Sequence, residues 1–173
     1  MSESALSVWS TKNTACAAQV ERLFSVFSRY TRPGTVFCGF CHTTEEVQRF
    51  TETPLEYLDD EAARKLLWEP ADHWESADVY RHFLPRVLQC LGPPWCIDDL
   101  YPTHLFETLL ALEFRQWPTD EQSAIIEFLE CLAPHLRLDG EDSFFLEWSA
   151  GLATLKDPEL SLPPPSIDSL GDA

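Results

Sequence analysis

Residues able to do chemistry are sparse in this chain, and the most conspicuous fall in Cys38-Gly39-Phe40-Cys41-His42. That spacing suits three chemistries: attachment of a c-type haem, half of a tetrahedral zinc site, and thiol–disulfide exchange. Haem attachment wants an exported chain and a second axial ligand. The start of the chain lacks the basic residues and long apolar stretch of a secretory signal, and the only methionine is Met1. Redox exchange gains from the place of Cys41, just ahead of a capped helix whose positive end would stabilise a thiolate. It lacks the surrounding sheet, because only Thr35-Val36-Phe37 reads as a strand. Zinc needs two more ligands. Cys90 and Cys96 are the candidates, with His42, His82 and His104 as further options. No second Cys-x-x-Cys exists, so the simplest reading is structural: two small side chains flank Gly39 at a helix entrance, under an aromatic-rich core. The alternative is a structural zinc held by Cys38, Cys41, Cys90 and Cys96, and no other cofactor is expected.

Other catalytic grammars are missing. No Ser or Cys sits in a G-x-S-x-G elbow, and no Gly-rich loop could cradle a phosphate. The acid pairs Asp59-Asp60 and Asp98-Asp99 fit no calcium loop and read as solvated charge. His82, between Arg81 and Phe83, reads as a packing residue. No catalytic residue is assigned, and the chain is expected not to be an enzyme. An enzyme without a recognisable motif, centred near His82, is the last alternative.

The 173 residues carry a formal net charge of −17, with 45% apolar and 12% aromatic residues. Such a chain has the means to build a core, and its charge repels nucleic-acid backbones and anionic membranes. The expected partner is a basic protein. No apolar run reaches the roughly 18 residues of a membrane span. A cytoplasmic location is expected, with all six cysteines as thiols.

Acidity is unevenly placed. Between Glu45 and Asp78 eleven acids face three bases, a net of −8, and from Asp139 onward eight acids face Lys156 alone, a net of −7. Within the first stretch Trp68, Glu69, Asp72, Trp74, Glu75 and Asp78 form a candidate aromatic-acidic patch for capturing a Lys/Arg-rich surface. The rival reading buries each indole at a helix end and gives its N–H to a free carbonyl.

Apolar residues recur at three and four, and the elements that must hold these residues are helices. The pattern predicts helices over about 12–30 (Ala17, Val20, Phe24, Phe27), 44–51, 59–68, 76–91, from 103 onward, from about 119, and 142–154. Thr43 with Glu46 and Thr119 with Gln122 read as capping boxes, while Asp59 and Ser76 read as single caps. Pro85 either kinks its helix or starts its second half. The expected fold is an all-α bundle of six or seven helices spanning 1–157. A Pro/Ser-rich tail over 158–173 is expected to be disordered or loosely draped.

The order Cys-x-x-Cys, PLEYLDDEAARKLLWEP, DVYRHFLPRVLQ and FRQWPTDEQSAIIEFL resembles a family of uncharacterised bacterial proteins. The resemblance runs from Phe37 to Leu132, and its most specific piece is Arg81-His82-Phe83-Leu84-Pro85-Arg86. Where such sequences carry Thr-Trp-Gly ahead of that helix, this chain has Asp72-His73-Trp74-Glu75. No activity comes with the resemblance. By analogy of class, small acidic helical bacterial proteins are often immunity proteins, and a cognate toxin domain is the expected basic partner.

Overall fold

A computed structural model describes residues 16–34, 42–91, 102–135 and 142–160. Among these residues there are seven α-helices and no strand: α1 Ala17–Phe27, α2 Thr44–Glu52, α3 Asp60–Leu67, α4 Ala77–Gln89, α5 Pro102–Ala111, α6 Thr119–Leu132 and α7 Asp142–Lys156. Single 3-10 turns at Leu55–Tyr57, Ala71–His73, Phe114–Gln116 and Ala133–His135 join them. The fold is all-α, as the apolar spacing predicts. Among the described residues no helix is long and apolar enough to cross a membrane.

Local chemistry starts most of these helices. Thr43 accepts the Glu46 amide while the Glu46 carboxylate takes the Thr43 amide, a complete capping box. Asp59 accepts the Ala62 amide at 2.9 Å and Ser76 the Val79 amide at 3.3 Å. Two expectations are corrected. Thr119 does not cap α6 but is its first residue, behind Pro118, and Gln122 instead reaches back to the Trp117 carbonyl at 2.7 Å. The fifth helix begins at Pro102, where the missing proline amide costs nothing because the first turn has no use for it. α4 runs on through Pro85.

One core gathers the apolar faces, with Trp148, Tyr80, Phe83, Phe106, Phe114 and Phe128 fully buried in it. In α1 the buried stripe is Val20, Leu23 and Phe27, whereas Ala17 and Phe24 lie half-buried, so the true face is turned towards Leu23. α7 crosses α5 so closely that a Cβ on Gly151 would overlap the Phe106 ring. The end of α7 is closed by Arg115, whose guanidinium donates to the carbonyls of Thr154 (2.9 Å), Asp157 (3.3 Å), Pro158 (3.3 Å) and Leu160 (3.1 Å). The tail is therefore pinned as far as Leu160. Residues 161–173, which the disorder expectation covers, lie outside the described residues.

α1 lies antiparallel along α6. Cys16 and Cys131 are disulfide-bonded with Cα atoms 6.0 Å apart, Arg22 pairs with Glu127, and Arg29 pairs with Asp120. The expectation that all cysteines are thiols is corrected for this pair. Nothing local marks it, because 115 residues separate the two.

Candidate functional site

At the end of α1 the chain turns past the start of α4, and an open cleft of about 910 Å³ lies between them. Arg29, Tyr30 and Thr31 line one wall; Glu75, Ser76 and Asp78 line the other. The Ser76 cap fixes the direction of α4 and so places Asp78 at the rim.

Beside the cleft is a closed polar cluster. Tyr30 Oη donates to Glu121 Oε1 at 2.7 Å and accepts from Arg81 Nη1 at 3.1 Å. Arg81 Nε stands 3.6 Å from Glu121 Oε2, and the guanidinium lies 4.3 Å from the Trp117 ring centre. Glu121 is completely buried. Burial, and then the hydrogen bond to Glu121, pushes the Tyr30 hydroxyl up to about 12, so it stays protonated and serves as a donor. On the outside the Asp120 carboxylate, held down by its bond to Arg29, completes the set. Every charge here has a counter-charge, and the cluster joins α1, α4 and α6.

A second polar cluster ties α3 to α4. Buried Arg86 donates to the Leu58 carbonyl at 2.7 Å, Asp60 at 2.6 Å, Gln89 at 3.2 Å and the Cys90 sulfur at 2.9 Å. Cys90 faces Asp60 at 3.5 Å, and burial pushes its thiol up to about 12. It is a protonated packing residue at neutral pH rather than a nucleophile. Of the four candidate zinc ligands, Cys90 alone falls in the described residues. Cys38, Cys41 and Cys96 lie outside them. Among the described residues no group of three His, Cys, Asp or Glu side chains is placed to hold a metal.

The six residues of the candidate patch separate into different settings. Trp68 is 38% exposed and stacks on His104 with ring centres 5.4 Å apart. Trp74 is buried against Tyr80 and Phe83, so the expectation of a second surface indole is corrected: packing against these two rings outweighs exposure. Glu69 is held between two histidines, with Oε1 3.0 Å from His42 Nε2 and Oε2 3.3 Å from His73 Nδ1. Asp78 pairs with Arg81 at 3.1 Å, while Asp72, Glu75 and Asp78 are all exposed. The indole rule holds for Trp117, whose N–H meets the Leu112 carbonyl at 2.8 Å, and Trp95 lies outside the described residues.

His82 is a packing residue, as its neighbours suggest. Its Nδ1–H donates to the Tyr30 carbonyl at 3.0 Å, its ring packs edge-on against Phe83, and burial holds its pKa below the usual imidazole value. The sequence gives no sign of Tyr30, Arg81 and Glu121 as a unit. Their separations of 51 and 91 positions leave no local pattern, and only an acid inside the apolar spacing of α6 hints at it.

No family model matches the sequence, and no curated protein or solved structure matches it either.

Proposed function

We propose that this chain is a non-catalytic helical binding protein that offers an acidic face to a basic protein partner in the cytoplasm. An immunity protein that neutralises a cognate toxin domain is the most concrete form of that role. One observation carries the reading. The charges of the two polar clusters are paired within the fold, while Glu45, Glu52, Asp72, Glu75 and Asp78 in the acidic stretch are exposed. Surface carboxylates in such excess steer a cationic surface and resist nucleic acid. Trp68, exposed beside Glu69, supplies an aromatic anchor of the kind that binding surfaces favour. Glu75 and Asp78 edge the cleft, where an incoming lysine or arginine side chain would compete with Arg81 for Asp78.

Fluorescence anisotropy with a labelled nona-arginine peptide tests whether the face is localised. The triple variant Asp72→Lys/Glu75→Lys/Asp78→Lys is expected to weaken binding at least tenfold with an unchanged helical CD spectrum. Reversing the exposed acids Glu21, Glu107 and Glu159 removes the same charge elsewhere and should cost much less. Equal losses from both triples would reduce the acidity to a general property of the surface and end the proposal.

A further inference from the structure

The N-terminal end of α1 is held by a covalent bond where most helices use a cap. The helix has 11 residues, below the length at which an isolated helix persists in water. Cys16 occupies the cap position, its side chain accepts no amide, and no acid stands in the first turn. Val20 and Leu23 add apolar contact along this end, but the next polar tie to α6, Arg22 with Glu127, joins side chains 40% and 45% exposed and contributes little. The far end is different. There Phe27 is buried against Trp117, Tyr30 bonds to buried Glu121, and Arg29 pairs with Asp120.

We infer that the Cys16–Cys131 disulfide is a redox latch: a dithiol opens it and frees the first turns of α1 from α6, while the Phe27–Tyr30 end stays docked. Cys16 is wholly buried and Cys131 half-buried, so an incoming thiolate reaches the Cys131 sulfur first. That attack forms a mixed disulfide with Cys131 and breaks the S–S bond, and Cys16 leaves as a thiolate that takes up a proton. The second thiol of the reductant then displaces Cys131. The products are two protein thiols and one oxidised dithiol, so one disulfide is reduced for each dithiol consumed. This resolves the conflict between a cytoplasmic reading and a paired cysteine, because the bond then follows the redox state of its surroundings.

Peptide-level hydrogen exchange on the full chain, air-oxidised or treated with dithiothreitol, tests the latch. The oxidised protein should yield a linked peptide joining Cys16 and Cys131. Reduction should speed exchange at least tenfold in 17–22 and 128–132, leave 27–30 and 119–124 unchanged, and lower Tm by about 5–15 °C. The double variant Cys16→Ser/Cys131→Ser should show the reduced pattern and no longer respond to dithiothreitol in those segments. Absence of the linked peptide overturns the inference, as does unchanged exchange on reduction. So does loss of protection along the whole chain in either the reduced protein or the double variant.

Discussion

Along the seam between α1 and α6, Glu127, Asp120 and Glu121 each meet an arginine from outside their own helix. Between Glu45 and Asp78, eleven acids share three lysine and arginine residues. Two of these pairs, Arg22–Glu127 and Arg29–Asp120, join positions 105 and 91 residues apart at the surface, while the Glu121 carboxylate facing Arg81 lies wholly inside. The acidic stretch uses part of its charge locally, in the Thr43–Glu46 box and the Asp59 cap, and turns most of the remainder to solvent. Carboxylates of one chain thus do opposite work according to whether a cation from another helix reaches them. Neutralised and buried, they set the fold. Exposed and in excess, they form the surface on which the proposed partner would dock.

The largest effect should come from the seam. Glu121→Ala leaves Arg81 and Tyr30 facing an empty acceptor and is expected to cost about 3–5 kcal/mol in urea unfolding. A loss under about 1 kcal/mol would show that the buried pair contributes no more than a surface one, and the contrast would fail.

Alkaline titration should separate the two regions by a smaller amount. Tyr30 belongs to the seam and Cys90 to the Arg86 anchor of the acidic stretch, and both are raised to about 12 in the folded state, from 10.0 and 9.0. A raised folded value means that the native protein holds the proton more tightly than the unfolded chain. Their stabilisation is therefore full below pH 9 and is lost as pH rises towards 12. Buried Tyr80, shifted the same way by desolvation, adds to the loss. Urea midpoints measured from pH 8 to 11 should fall steadily. Cys90→Ala should flatten the part beginning near pH 9 and Tyr30→Phe the part beginning near pH 10.

The smallest effect on stability is expected from the exposed acids. Glu45→Gln/Glu52→Gln should leave Tm within about 2 °C while weakening peptide binding and its dependence on salt. A large change in Tm would place those carboxylates in the folding energetics and erase the distinction.

Much of the fold was legible because its signals are local. The Thr43–Glu46, Asp59 and Ser76 caps span three residues, and the apolar spacing of Val79, Phe83 and Val87 is read directly as a buried helix face. The errors lie where two local readings compete. Thr119 and Pro118 both suit a helix start, and the proline took the position before the helix. Trp74 and Trp68 look alike in sequence, yet Tyr80 and Phe83 cover one, while the other stacks on His104 at the surface.

That helices form, where most begin, and that carboxylates outnumber cations between Glu45 and Asp78 can all be read from the chain without its fold. These follow from hydrogen bonds and periodicities within one or two turns, and from counting charge. Which carboxylates are neutralised, that Cys16 meets Cys131, and that Arg86 lies buried between Leu58 and Asp60 depend on how the helices pack. Those partners lie 26 to 115 residues apart, and burial of the apolar faces brings them together before any attraction between them can act.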